Sequence, residues 1–226
     1  MSRKIDRALH GPSWLEVFLG AALSLLLGVV LGAVVLIFKP VVVVRQMPKE
    51  DAIDPKAVYY IEGTKEASRS RNALAKRKAF ASGQTVTVTE DEINSLIAQP
   101  AAPRAAGSAP AADAESEDTL AVGTPNVRLR DGTMQVGVPV TLNLPGLSKK
   151  FTVQTQGGFE KQGGIFVYEP DVFYFGSLPL QRLPLVANLA RDKFLDAQEI
   201  PEDIKTAWAK LSGVSIEGNI LNLTVP

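Results

Sequence analysis

The stretch VRLRDGTMQVGVPVTLNLPGLSKKFTVQTQ (127–156) carries the clearest pattern in the chain. Met134, Val136, Val138, Val140, Leu142 and Leu144 occupy every second position. Successive side chains of an extended strand point to opposite faces, so these six share one face. Val127 and Leu129 lead with the same alternation into Asp131-Gly132, a pair suited to a tight hairpin. Pro145-Gly146 turns the chain again, and Phe151, Val153 and Thr155 resume the alternation. Pro139 offers no N–H to a ladder and predicts a sheet edge or a bulge. Gly157-Gly158 and Gly163-Gly164 mark bends or a hairpin. Ile165–Tyr168 and Val172–Phe175 then read as two extended runs broken by Glu169-Pro170-Asp171. Connections this short predict an antiparallel meander, buried on one face and wet on the other.

Working outward, QTVTVT (84–89) alternates valine with threonine and predicts a half-buried strand. Thr89-Glu90-Asp91-Glu92 follows as a capping box, with acids at the positive end of a short helix. Ile93, Leu96 and Ile97 give that helix an apolar stripe ending near Gln99-Pro100. The acids thus have a structural role and are not read as a metal site. Residues 100–125 are rich in alanine, proline, serine and glycine, and predict a flexible loop that interrupts one fold. Two helices are expected after the meander. One lies near Pro184–Leu195; the other opens at Pro201 and carries Ile204, Ala207, Trp208 and Leu211 at helical spacing. Val214 and Ile216, a Gly218-Asn219 turn, and Leu221, Leu223 and Val225 predict a closing hairpin that returns to the sheet. The class is α+β: an N-terminal transmembrane helix, then an antiparallel meander-like sheet with helices packed on one face.

The helix at the start is read from Val17 to Phe38, 22 residues without a charge. At 1.5 Å per residue it extends about 33 Å, enough for a hydrocarbon core of roughly 30 Å. Trp14 sits at an interfacial position, and Lys39-Pro40 closes the run. A cleaved signal peptide has a shorter apolar core and an A-x-A-like site, so an uncleaved anchor is expected. Arg3, Lys4 and Arg7 precede the run and Lys39, Arg45 and Lys49 follow it, a tie that the free amino terminus tips inward. The expected layout is therefore a cytoplasmic tail (1–13), an anchor (14–39), a juxtamembrane segment (40–64) and an exported domain (65–226). The valines of 41–44 either rest at the interface or begin the sheet. Within the anchor Gly20, Ser24, Gly28 and Gly32 recur every fourth residue. Small residues on one face let another backbone approach, which points to a homodimer or a partner transmembrane helix.

Charge is balanced at Lys+Arg 24 against Asp+Glu 24, so nothing in it argues for nucleic acid. Residues 65–82 suit a helix stopped by Gly83, with a thin apolar stripe of Ala67, Leu74, Ala81 and, beside it, Phe80. That helix carries Lys65, Arg69, Arg71, Lys76, Arg77 and Lys78. The six cations are either a solvated face or a contact for anionic headgroups. No aromatic is interleaved for base stacking.

Cysteine is absent and His10, the one histidine, precedes the anchor, so thiolate and histidine chemistry are excluded from the exported domain. Glu169 and Asp171 flank a proline as acids in a turn or bulge do, and Ser148-Lys149-Lys150 lacks the spacing that sets a nucleophile against a base. No nucleotide-loop or EF-hand motif is present. No catalytic residue, metal or cofactor is expected. In TVTVTEDEINSLIAQ (85–99), with its E-x-N-x-L helix, in VRLRDGTMQVGVPVTL (127–142) and in VSIEGNILNLTV (214–225), the chain resembles single-span, envelope-facing bacterial proteins of the YpmS-like and LmeA-like kind. The resemblance covers some 140 residues, departs at the Ala/Pro-rich insertion and transfers no functional residue. It implies an anchored, strand-rich domain and lipid binding. Three functions follow in order: a non-enzymatic domain binding membrane lipid or another apolar envelope component; an accessory or scaffold subunit of a membrane complex; and, distantly, an anchored carboxylate-dependent hydrolase.

Overall fold

A computed structural model of the chain describes residues 12–98, 119–130, 132–182 and 201–226. The tail before them, most of the 100–125 insertion and the helix expected near Pro184–Leu195 lie outside the described residues. The fold is α+β with antiparallel sheets and one long apolar N-terminal helix, α1 (Trp14–Phe38). Ser13 caps that helix: its hydroxyl accepts the Glu16 N–H while the Glu16 carboxylate accepts the Ser13 N–H. By length and composition α1 suffices to cross a bilayer, as a single-pass anchor or a signal sequence would.

Six strands form the large sheet. β6 (Thr133–Leu144), β7 (Leu147–Gln162) and β8 (Ile165–Phe175) are the long meander, and β9 (Leu178–Pro179) adds two residues to β8. The free side of β6 is shared by β5 (Asn126–Arg130), which pairs with residues 133–137, and β4 (Leu120–Val122), which pairs with residues 140–142. Pro139 falls in the gap between them, where β6 needs no N–H, so the edge expected from proline is a local one. Strand β4 corrects the expectation that everything from 100 to 125 is loop. The two extended runs expected at 165–168 and 172–175 are instead one strand. Its register with β7 shifts between Gln156 and Gly157, which brings Pro170 opposite Gly157 with Asp171 as the extra residue. A Cβ at Gly157 would overlap the Glu169 carbonyl oxygen, so glycine is what lets the strands close there.

The C-terminal hairpin, β10 (Gly213–Glu217) and β11 (Ile220–Thr224), turns at Gly218, where φ is +57°. It does not return to the large sheet as expected. It pairs through β11 with β3 (Val86–Thr89) in a separate three-stranded sheet. The helix read over 65–82 is an α-helix, α2, from Ser70 to Ala81 preceded by one 3-10 turn. It buries Ala73 and Phe80 and leaves Leu74 exposed, because Ala73, Lys76 and Phe80 lie on the face toward the next helix. That helix, α3 (Glu90–Ile97), has the predicted capping box: Thr89 Oγ1 accepts the Glu92 N–H and Glu92 Oε2 accepts the Thr89 N–H. The last helix is α4 (Glu202–Trp208).

Two cores share the apolar face of the large sheet. In the first, Val127 and Leu129 pack with Phe80, Val86, Val88, Ala207, Leu211, Leu221 and Leu223. In the second, Val138, Val140, Phe151, Val153, Phe173, Leu178 and Leu180 pack against Ala33, Ile37 and Phe38 of α1. The valines of 42–44 form β1, which pairs in parallel with β2 (Tyr59–Ile61), so residues 40–64 belong to the folded body.

Candidate functional site

The alternation of β6–β8 gives the large sheet two unlike faces. On one, Met134, Val136, Val138, Val140 and Leu142 stand beside Phe151, Val153, Phe159, Phe166, Phe173 and Phe175, in the pairing of β6, β7 and β8. Val136 packs against both cores and makes the face continuous from one to the other. Phe159 stacks at 5.8 Å on Tyr168 and at 5.7 Å on Trp208, whose indole N–H donates to the Phe166 carbonyl at 2.6 Å. Tyr168 donates to the Met134 carbonyl, and burial, the main cause, pushes its phenol up to about 12.

The other end of this face meets α1. The Ser177 N–H donates to the Leu36 carbonyl at 3.0 Å, and the Ser177 hydroxyl donates to the Lys39 carbonyl at 3.1 Å. The first is added to the bond that the Leu36 carbonyl accepts from the Lys39 N–H, and the second gives a partner to a carbonyl at the helix end. Gly176, at φ +60°, lies so close that a Cβ there would overlap the Ile37 carbonyl oxygen. Phe38 meets Phe151 edge-on at 6.4 Å, and Phe151 stacks on Phe175 at 4.9 Å. The helix is thus joined to the sheet by direct packing.

The opposite face is polar. Gln135 lies across from Gln156, and Gln154 across from Tyr174. Tyr60 covers the upper part of this face, its ring where a side chain on Gly137 would be. Its hydroxyl lies 3.0 Å from Asn126 Oδ1, and burial, reinforced by Glu62 and Glu90, raises its pKa well above the ordinary phenol value. Below Tyr60, residues Met47 and Ala57–Tyr59 stand off the sheet and leave a half-open cleft of about 240 Å³ above Gln135, Gln154, Gln156, Val172 and Tyr174.

The segment crossing this face is fixed by buried side chains that sequence reasoning missed. Asn94 Oδ1 accepts the Val127 N–H at 2.7 Å, while Nδ2 donates to the Val127 carbonyl at 2.7 Å and the Thr64 carbonyl at 2.8 Å. Glu90 accepts the N–H groups of Thr64 at 2.5 Å and Leu129 at 2.9 Å, and the Thr64 hydroxyl at 3.1 Å. Asn126 accepts the Gly63 N–H at 2.7 Å. Helix α3 therefore supplies from side chains the bonds that a neighbouring strand would give the edge of β5. The available signal was Asn94 itself, a poor helix former in mid-helix, where a side chain bonding elsewhere is the usual reason for it.

Of the six cations read either as a solvated face or as a headgroup contact, three are ion-paired. Lys76 donates to the buried Glu92 at 2.7 Å, Arg69 pairs with Glu66 at 3.2 Å, and Arg77 lies 4.0 Å from Asp203. Lys65, Arg71 and Lys78 form no ion pair among the described residues. Burial alone would raise the Glu92 carboxyl, but the Lys76 ammonium and the Thr89 amide outweigh it and hold the group below its ordinary value. A Cβ added at Gly20, Gly28 or Gly32 meets nothing within 4 Å, so the small-residue face of α1 is open. Ser148 donates to Asn143 across its hairpin, and Glu169 accepts from Gln162. Among the described residues no three His, Asp or Glu side chains converge as metal ligands. No protein-family profile, curated protein or solved structure matches the chain.

Proposed function

We propose that this chain is a single-pass membrane protein, its N-terminus cytoplasmic, whose extracytoplasmic domain is non-enzymatic and binds the apolar part of a membrane lipid. The observation that carries this reading is the apolar face of β6–β8, which begins in contact with Ala33, Ile37 and Phe38 of α1 and continues through Val136 to Phe159 and Phe166. These side chains are buried or half-buried, so with α1 in a bilayer an acyl chain would reach them by displacing the end of α1 beside Ile37 rather than by entering an open groove. At about 25 cal/mol per Å² of apolar area covered, even a partly inserted chain would gain several kcal/mol. The resemblance to YpmS-like and LmeA-like proteins points the same way.

The test is a phospholipid carrying a photoactivatable group on its acyl chain, reconstituted with the full-length protein. Labelling is expected on α1 and also on residues 151–153 and 173–178, and Phe175→Gln should reduce the sheet labelling several-fold while the melting temperature shows that the domain remains folded. Labelling confined to α1 would overturn the proposal.

A second reading, an accessory subunit docking through α1, is favoured by the geometry of that helix. At 100° per residue, Gly20, Ser24, Gly28 and Gly32 centre roughly opposite Ala33 and Ile37, and of the docked residues Phe38 alone, at the helix end, falls on their side, so the domain leaves most of the small-residue face free. Gly28→Ile combined with Gly32→Ile should abolish self-association in a membrane two-hybrid assay; unchanged association removes the homodimer.

A further inference from the structure

The cleft on the polar face is separate from the apolar face used above, and its chemistry differs. Every side chain that lines it is neutral: Gln135, Gln154, Gln156, Tyr59 and Tyr174 supply amides, hydroxyls and rings, and Met47 and Val172 supply apolar contact. Gln154 is 4% exposed, and its Nε2 has no hydrogen-bond partner. Its Oε1 receives only a long bond, 3.4 Å, from Gln135 Nε2. A buried amide nitrogen without an acceptor is costly, and native folds keep such groups chiefly where a water or a ligand supplies the missing oxygen.

We propose that this cleft binds one neutral saccharide unit. Three features select that class. No charged side chain lines the cleft; Arg128 stands in register with Gln135 on the same face but outside the lining, so an ionised ligand would lose hydration without a direct counter-charge. It lies on the face of strands whose backbone groups are already paired across β6–β7–β8, so an extended peptide finds no open ladder, and recognition has to run through side chains. Amides that both donate and accept, set beside tyrosine rings, match hydroxyl groups around an apolar ring face. A volume of about 240 Å³ is below that of sites for drug-sized ligands and suits one ring. Gln154 Nε2 would donate to a sugar oxygen, with Gln156 and Tyr174 completing the contacts. Residues Met47 and Ala57–Tyr59, from the segment that follows α1, wall the cleft.

The experiment uses the full-length protein in a detergent without a sugar headgroup and observes ligand signals by saturation-transfer NMR. Glucose, galactose and N-acetylglucosamine are the neutral probes, and glucuronate is the charged comparator. Transfer to at least one neutral sugar is expected at millimolar concentration, with at least tenfold less to glucuronate. Gln154→Leu should abolish it, and Gln156→Ala, at the exposed rim, should weaken it in a protein of unchanged melting temperature. No transfer to any neutral sugar, equal transfer to glucuronate, or transfer unaltered in both variants would each overturn the proposal. Lipid labelling on the opposite face is read separately, so either site can fail without the other.

Discussion

Replacing Asn94 with alanine removes three hydrogen bonds, two of 2.7 Å and one of 2.8 Å, from a side chain that is 3% exposed. The Val127 N–H, the Val127 carbonyl and the Thr64 carbonyl would all lose their side-chain partner. At about 1 kcal/mol for each group left unpaired, the variant should lose roughly 3 kcal/mol. A domain of ordinary stability has about 5–15 kcal/mol in all, so the loss is large. Trp208, which meets Phe80 edge-on and Phe159 at a tilt in the first core, reports unfolding by fluorescence once Trp14 is replaced by phenylalanine. Denaturation of the full-length protein in micelles then gives the difference directly. Asn94→Asp sharpens the test. It keeps an acceptor for the Val127 N–H but aims a carboxylate oxygen at two carbonyls, so it should be at least as unstable at neutral pH and recover as falling pH lets the carboxyl donate. A loss below 1 kcal/mol for Asn94→Ala, or an aspartate variant indifferent to pH, would refute the account of α3 as a surrogate strand.

Lys76→Met should cost about 2 kcal/mol. Breaking a fully buried ion pair costs about 3–5 kcal/mol, and Lys76, roughly one-third exposed, leaves room for water to compensate. Because the Glu92 carboxyl is held below its ordinary value in the folded protein, its contribution is present above the unfolded carboxylate range. It is lost as pH falls through the lowered folded value, so the wild type should lose stability on acidification and Lys76→Met should lose less. Chemical denaturation at a series of pH values measures both slopes. Gly176→Ala should undock α1, because it strains a residue at φ +60° and overlaps the Ile37 carbonyl. Trypsin should then cut after Arg45 several-fold faster, and an unchanged rate would show that the docking is not held there.

The parts of the fold legible in the sequence are those set by period and turn chemistry. Six apolar residues at alternate positions specify β6, because a shift of one residue would turn all of them to water. Thr89 and Glu92 specify the start of α3 in the same local way. What was not legible depends on partners distant in the chain. The hairpin at 213–224 reads as a hairpin from Gly218 alone, but its attachment to Val86–Thr89 rather than to the large sheet is settled by shared burial of Val86, Val88, Leu221 and Leu223. The apolar side of α2 was misplaced because Ala73 and Lys76 carry no hydrophobic signal, and their face is chosen by Glu92 on the facing helix. The strand Ile165–Phe175 was split because Pro170 reads as a break. The bulge and Gly157 allow the strand to continue past it.

The candidate sites follow from the same division. Alternation makes one face of β6–β8 apolar and requires the other to be polar, so a long meander necessarily presents two surfaces of opposite chemistry. What the sequence did not disclose is how each is used. Near Phe151 and Phe175 the apolar face is covered, among the described residues, by the end of α1 and the 3-10 turn Leu180–Arg182. The polar face is crossed by the segment that continues from α1, pinned at Thr64 by Glu90 and Asn94 and at Gly63 by Asn126. The chain therefore contacts both faces of its sheet within some 30 residues of leaving α1. The apolar face is closed by that helix end and by the cores it belongs to, whereas the polar face keeps a half-open cleft between the crossing segment and the sheet.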